Sequence, residues 1–595
     1  MPRLFILLPP ALLLFGLSSG ATAAPSTIDV QSYSLDLEVR PVEKSIMGEV
    51  EIRFASRVEG LSEVALDAPG LTVESVRSGD RALAFRSEDD HLRVLLDPPA
   101  RLGEERVVWI AYSGQPKRGL RFGTDQVFTS FHTSRWMVCE DDPGDKATLE
   151  MRLVLPAGLE VAASGRLVRR ETLPDGRVRH VWAEDRPVSS FLYGFAAGRF
   201  REANFQEGPV ELRFLAPGFT PEELRTIFAR TGEMLRFLER RAGVPFPGGR
   251  YTQVLLPEAP AQEMNLLTLM GDDDGRAVLA DPREDYLVTH ELAHQWWANL
   301  VTCRTWSDFW LHEGMVSFLV AAFKEFHWGR EEADRERILA RLRYERALGE
   351  GKRRPLVTDA WEQAEDMSGP ITYSKGALVL HLLRHEIGDT AFWAGLRTFT
   401  RAAVATGGLA DSRDLQKAME QESCQPLGWF FDQWVHGQEP DLVARHHEEP
   451  GAVVVEIEQH GPQPWRIGLD IAVETAVETA VETATERIRR RVVLAQPKET
   501  FRFPVTGRLL SVRIDDGGFL PRSVQHERPW DMLVWQTVHE PDAAGRGEAL
   551  LALAGRCAAP AAPSSCAALP ALLRERALED TARVVRQIAE RAGEK

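Results

Sequence analysis

The stretch Thr289-His290-Glu291-Leu292-Ala293-His294-Gln295-Trp296-Trp297 constrains this chain more than any other. It carries the pattern H-E-x-x-H. On a helix, residues four apart share a face, one turn above the other. His290 and His294 can therefore aim two imidazoles at one point, as a zinc ion requires. Glu291 stands on a neighbouring edge of that face, where a carboxylate reaches a water on the metal. The local signals agree with a helix: Asp281 is placed to N-cap it, Pro282 suits its first position, and Glu284 completes a capping box. Zinc needs a third protein ligand. Eighteen residues after His294, spanning 295 to 312, comes Glu313 in Trp310-Leu311-His312-Glu313-Gly314. The competing reading is two surface histidines on an ordinary helix.

H-E-L-A-H-Q-W-W, eighteen residues, then E-G resembles the aminopeptidase N family of zinc metallopeptidases. The resemblance extends over most of the chain. Gly119-Leu120-Arg121-Phe122, the run from Trp136 to Pro143 and the run from Tyr193 to Gly198 match the family's N-terminal domain, with Met137-Val138 standing where Phe-Pro is usual. Phe430 to Trp434 followed by Pro440 matches the end of its catalytic domain. The resemblance implies an α+β multidomain fold. Taken with the patterning below, the expected parts are an N-terminal antiparallel β domain, a thermolysin-like, mainly helical catalytic domain, a small β-sandwich and a helical C-terminal segment that is short beside the large helical domain of many relatives. The expected boundaries are 1–24 for a signal peptide, then 25–203, 204–445, 446–526 and 527–595 for these four parts.

Patterning along the chain supports that layout. From about Ile28 to Phe200 the apolar residues alternate in period two between turn residues, as in Tyr33 to Val39 and Gly48 to Phe54, which predicts β structure. Asp141 and Asp142 invite a metal reading; a turn carboxylate accepting from backbone N–H groups is the plainer one. From Pro217 the period becomes helical. Thr220-Pro221 predicts a helix that carries Leu224, Ile227, Phe228, Met234, Leu235 and Leu238 and ends at Gly243. Tyr251 to Leu256 reads as a strand. Ser307 is placed to cap the helix carrying Glu313, with Gly329 just past its end. Val453 to Ile514 returns to strand patterning and includes Ala-Val-Glu-Thr three times between Ala472 and Thr483. Read as a strand, that repeat puts Val and Thr on one face and Ala and Glu on the other.

Met1 to Ala24 reads as a secretory signal, with Arg3 as the positive start, Leu4 to Leu17 as the apolar core and Ala21-Thr22-Ala23 as the cleavage site. The mature chain is expected to be exported, periplasmic or secreted, with no membrane span. A net charge of −17 argues against a nucleic-acid partner. The five cysteines form no framework; Cys557 and Cys566 either pair in an oxidising compartment or stay as buried thiols.

The chemistry implied is peptide hydrolysis, with peptides as partners and one zinc per chain. His290, His294 and Glu313 hold the metal and leave a fourth position for water. Glu291 takes the water's proton and passes it to the leaving amine. By the resemblance, Tyr373 in Ile371-Thr372-Tyr373-Ser374-Lys375-Gly376 donates to the developing oxyanion. Asp308 either orients a ligand histidine or caps a helix. His312, where the family has Asn, points some 100° away from Glu313 on a helix and is not a ligand. The family's G-x-M-E-N, whose Glu binds the substrate's free α-amine, corresponds to Ala261-Gln262-Glu263-Met264-Asn265. Aligned through Asn265, Met264 takes the Glu position. In an extended segment Met264 and Gln262 then face the substrate and Glu263 turns away; a local bulge instead brings Glu263 into place. Two other readings stand beside an aminopeptidase. One is a thermolysin-like endopeptidase, which normally has Asp where Ser317 stands here. The other is a silent peptide-binding relative, although all four positions that carry the chemistry are intact.

Overall fold

A computed structural model describes residues 26–88, 90–123, 125–361, 364–478, 483–559 and 562–593. The expected signal peptide lies outside them. The chain divides into two compact units, the first made of Met1–His312, Asp359–Glu362 and Leu396–Asp414 and the second of Glu313–Thr358, Gln363–Gly395 and Leu415–Lys595. The division cuts one continuous helix, Trp310–His327, so Glu313 is counted with the second unit although it directly follows His312.

In the first unit, Ile28–Arg40 and Ser45–Ser56 are central to an eight-stranded sheet. Lys146–Leu155, Val178–Ser189 and Arg166–Thr172 lie on one side, and Glu105–Gly114, Leu71–Ser78 and Arg81–Ala82 on the other. The alternation predicted from sequence appears as alternating burial in Ile28–Arg40, whose Leu35, Leu37 and Val39 enter one large apolar core. The sheet departs from the expected antiparallel pattern at one place: Ile28–Arg40 runs parallel to Lys146–Leu155, with Leu35 opposite Met151. Alternation is the same in both directions, so only the long connection between these strands permits the parallel pairing. Asp142 proves to be a turn residue, its Oδ1 accepting from Gly144 N at 2.6 Å. Asp141 takes the hydroxyls of Ser134 and Ser190.

The unit continues with a four-stranded sheet ordered Arg201–Glu207, Val210–Ala216, Arg250–Leu256 and Leu267–Gly271, the last three mutually parallel. Thr220 and Glu223 form the full capping box, and Gly243, at φ 70°, ends the helical stretch. That stretch is two helices, Pro221–Ile227 and Thr231–Ala242, where one was expected. The break lets Phe228 stack on Phe214 at 4.4 Å between ring centroids.

The second unit holds the helices Arg330–Gly349 and Gly376–Ile387 and, after Gly428–Trp434, two sheets of four and three strands. The repeat falls on the strand Ile467–Glu478, with 479–482 outside the described residues. Ala472, Val473, Glu474 and Thr475 are all buried, so both faces of the strand are covered there; Glu474 pairs with Arg487 and accepts from Trp535. Four helices from Trp530 to Gly593 close around Leu550, Leu553, Leu573 and Val585. Cys557 and Cys566 are joined by a disulfide. Among the described residues, no helix is long and apolar enough to cross a membrane.

Candidate active site

The H-E-x-x-H residues lie at the end of the helix Tyr286–Ala293, with His294 as its C-cap. The helix starts four residues later than the sequence signals place it. Asp281 instead flanks the end of the preceding helix, Asp272–Ala280. Its Oδ1 accepts from Arg283 N at 3.0 Å and its carbonyl from Glu284 N at 2.9 Å, a local turn that competes with helix initiation. Val288 to Ala293 are buried without exception, so the imidazoles are shielded from bulk water. Tyr286 stacks on the His290 ring at 5.5 Å, and the rings of His290 and His294 meet edge to face at 4.8 Å. His294 Nδ1 lies 3.1 Å from the carbonyl of Trp297. A carbonyl can only accept, so Nδ1 carries the hydrogen and the Nε2 lone pair is left for a metal.

Glu313 occupies the first turn of Trp310–His327. His290, His294 and Glu313 are all buried, and each offers one ligand atom within 4.8 Å of the other two. Ser307 does not cap this helix. It lies in the short turn Trp306–Asp308, donates to Asp359 Oδ1 at 2.7 Å and accepts from Trp361 Nε1 at 2.9 Å. The helix start is fixed by other bonds. Trp310 Nε1 donates to Ser412 Oγ at 2.9 Å, and Asp308 Oδ1 accepts from the Ser412 amide at 3.0 Å and from its hydroxyl. His312 Nε2 accepts from Cys303 N at 2.8 Å and its ring faces Phe191, so it belongs to the packing and not to the ligand group.

Tyr373 stands in a single π-helical turn, Ile371–Lys375, directly before Gly376–Ile387. Such one-turn widenings recur where a helix must present a functional side chain. Ile371, Thr372, Ser374 and Lys375 are buried; Tyr373 is half-buried. Lys375 anchors the turn through Glu439 Oε2 at 2.8 Å, and the Tyr344 hydroxyl donates to the same carboxylate. Burial alone would raise the Glu439 carboxyl, but the Lys375 ammonium and these bonds outweigh it and hold it below the usual carboxylate range.

The segment corresponding to G-x-M-E-N is pinned on every side. Met264 is fully buried in an apolar cluster with Phe128, Ala162, Ala196 and Leu269. Its sulfur lies 3.8 Å from Thr129 Oγ1. The core, not a recognition face, therefore holds Met264. Gln262 pairs with Leu269 through both backbone groups, and its side-chain oxygen accepts from Phe131 N at 2.8 Å, which orients the amide toward that loop. Asn265 donates to Glu184. Glu263 is buried, and its backbone carbonyl accepts from Asn299 Nδ2 at 3.0 Å. Gln295 clasps the next two peptides: Nε2 donates to Met264 O at 3.2 Å, and Oε1 accepts from Leu266 N at 2.8 Å. Sequence reasoning missed Gln295 and Asn299. They lie one and five residues beyond His294, and nothing local shows that they grip a distant strand.

Two family models match: the Peptidase M1 N-terminal domain over residues 30–192 and the Peptidase family M1 domain over 227–434. The Probable aminopeptidase 1 of Saccharolobus solfataricus is 24% identical over 402 residues, covering 63% of this chain and 49% of that protein. The Aminopeptidase N of Canis lupus familiaris is 30% identical over 287 residues, 44% of this chain and 29% of that one. The chain thus spans about half or less of the length of these curated relatives. Among solved structures, an M1 zinc metallopeptidase from Deinococcus radiodurans superposes with a TM-score of 0.60 at 27% identity, covering 69% of this chain and 94% of that one. The Legionella pneumophila aminopeptidase A in complex with aspartic acid gives a TM-score of 0.77 over 95% of this chain and 68% of its own, at 16% identity, a likeness of fold alone. The matched segments take in both the β domain and the helix bearing H-E-x-x-H, and the chain belongs to peptidase family M1.

Proposed function

We propose that this chain is a zinc aminopeptidase that removes N-terminal residues from peptides. The observation that carries the reading is the convergence of His290, His294 and Glu313, all buried, with ligand atoms within 4.8 Å of one another. Two imidazoles and a carboxylate, one imidazole with its tautomer fixed by Trp297, are a donor set that fits zinc. One ion per chain would supply a Lewis acid that polarises the scissile carbonyl and acidifies water.

The chain's own groups do the rest. Glu291 is buried next to His290, and its carboxylate takes a proton from the attacking water and gives it to the leaving amine. The half-buried phenol of Tyr373 donates to the oxyanion as it develops. Glu263 anchors the α-amine of the substrate. With Met264 in the core and Gln262 uncharged, Glu263 is the carboxylate of this segment. Residues 1–24 direct export, and the Cys557–Cys566 disulfide suits an oxidising compartment.

The test compares one peptide with a free and an N-acetylated terminus, before and after chelation and zinc restoration. An aminopeptidase loses activity with chelator, regains it with zinc and strongly prefers the free terminus. Equal cleavage of both peptides would leave a zinc endopeptidase, and no cleavage of either would leave a peptide-binding relative.

A further inference from the structure

Lys146 opens the strand Lys146–Leu155 in the first unit, yet among the described residues it has no acidic partner. Its Nζ donates to three backbone carbonyls, those of Asn299 at 3.4 Å, Leu300 at 3.2 Å and Gly408 at 3.1 Å. Burial pulls the ammonium down to about 7, with Arg186 adding to the fall and Cys303 opposing it. Taking a charge out of water without a counter-ion is costly. The carbonyls that receive it show what it secures.

Asn299 is a junction. Its backbone N–H donates to His294 O at 3.0 Å, its Nδ2 donates to Glu263 O at 3.0 Å, and its own carbonyl goes to Lys146. A single residue thus ties the end of the H-E-x-x-H helix to the backbone of Glu263, and Lys146 holds it there. The same site admits no side chain at position 408. Gly408 has φ +81°, and a Cβ on it would lie 2.3 Å from Leu300 O and 2.8 Å from Lys146 Nζ. Thr302 N closes the arrangement by donating to Gly408 O at 2.8 Å.

We propose that Lys146 is a positioning residue for recognition of the substrate's α-amine: it fixes Asn299, which fixes the Glu263 backbone relative to His294. The inference rests on the reading of Glu263 as the amine anchor. A carboxylate that must meet an ammonium at hydrogen-bond distance tolerates little drift of its own backbone. The plain alternative is that Lys146 only glues loops together. That role would change stability or overall rate, but not the discrimination between free and blocked termini.

The experiment uses the zinc-loaded full chain at pH 6, where the ammonium is protonated. It compares Lys146→Met, Lys146→Arg, Asn299→Ala, Glu263→Gln and the double variant Lys146→Met/Glu263→Gln on a free and an N-acetylated peptide. In Lys146→Met the preference for the free terminus should fall by about tenfold, mainly through KM on the free peptide, with zinc content retained. Lys146→Arg should restore part of it. Asn299→Ala removes the Nδ2 bond while keeping the backbone bonds, and should reproduce the loss even if Lys146→Met folds poorly. Because Lys146 acts through Glu263, adding Lys146→Met to Glu263→Gln should cause little further loss. The inference is overturned if both peptides slow together in Lys146→Met and Asn299→Ala, or if the effects of Lys146→Met and Glu263→Gln multiply. Failure of the underlying reading has a different signature: Glu263→Gln leaves the preference for the free terminus intact, or wild type has none, and the inference then falls with it.

Discussion

A Cβ built on Gly314 would lie 2.9 Å from the Cα of Gly376 and 3.1 Å from the carbonyl oxygen of Thr372. Both obstacles are backbone atoms, so neither can swing aside as a side chain would. Trp310–His327 therefore meets the π turn Ile371–Lys375 and the start of Gly376–Ile387 backbone to backbone. The contact falls directly after Glu313 and spans Tyr373. Gly314→Ala should push these backbones apart and lower kcat by about tenfold or more, since sub-ångström placement matters this much at a reacting centre. Gly349→Ala is the control, because nothing lies within 4 Å of a Cβ there. Equal activity in the two variants would show that the contact does not position Tyr373.

Glu291 and Tyr373 have separable tests. Glu291→Gln preserves shape and removes the base, so zinc should stay bound while hydrolysis falls by roughly 10²- to 10⁴-fold. Tyr373→Phe should lower kcat more than it raises KM, by roughly 10²-fold or more, because a phenol that serves the oxyanion matters only as charge develops. Metal analysis alongside steady-state kinetics checks both. Zinc lost from Glu291→Gln would make Glu291 part of the ligand set, and an unchanged kcat in Tyr373→Phe would return that residue to packing.

The N-terminal β domain carries a pH dependence of its own. Burial, then the neighbouring Asp67, pushes the Glu140 carboxyl from 4.5 up to about 8. Burial likewise raises Asp145 to about 7. A raised carboxyl keeps its proton in the folded state after the unfolded chain has released it. The stabilisation is therefore complete below about pH 4.5 and is lost as pH rises through the folded value near 8. Denaturant midpoints taken from pH 5 to pH 9 should fall across that window, and Glu140→Gln should flatten the slope. A midpoint that climbs between pH 5 and 8 in wild type, or a slope unaltered in Glu140→Gln, would count against this account.

What could be read from the sequence was whatever depends on near neighbours. The i, i+4 spacing of His290 and His294, the helix start at Thr220-Pro221 and the helix stop at Gly243 are local, and each is seen in the fold. The misses share a cause. Asp281 carries the residue type of an N-cap, but it engages Arg283 in a turn, and sequence alone does not rank the two uses. Ser307 is drawn to Asp359 and Trp361, more than fifty positions away. The side that Met264 faces depends on Thr129 and on Gly194, where an added Cβ would meet the Met264 sulfur at 2.3 Å; both are distant in sequence. Residue type and spacing define candidate ligands; the packing that aims them comes from long-range contacts.

Ala298 offers a last test, because its backbone is strained where the site is assembled. It has φ 151°, a conformation that residues with a Cβ rarely adopt. It follows Trp297, whose carbonyl fixes the His294 tautomer, and precedes Asn299. Its amide donates to Val301 O at 3.0 Å, and its carbonyl accepts from the Thr302 hydroxyl at 2.5 Å, so both backbone groups are committed. Strain of this kind costs about 1–3 kcal/mol. An ordinary buried Ala→Gly change should destabilise by about 1–2 kcal/mol, from the lost methyl burial and the extra entropy of the unfolded glycine. At position 298 relief of strain offsets that loss, and Ala298→Gly should leave stability within about 1 kcal/mol of wild type. Ala549→Gly, buried within the helix Ala543–Cys557, is the unstrained reference and should show the full loss. Residue 298 makes its hydrogen bonds through its own backbone groups, which glycine keeps, so the free-terminus preference should persist in Ala298→Gly. Equal destabilisation at 298 and 549, measured as denaturant midpoints, would mean that no strain is stored beside the histidines.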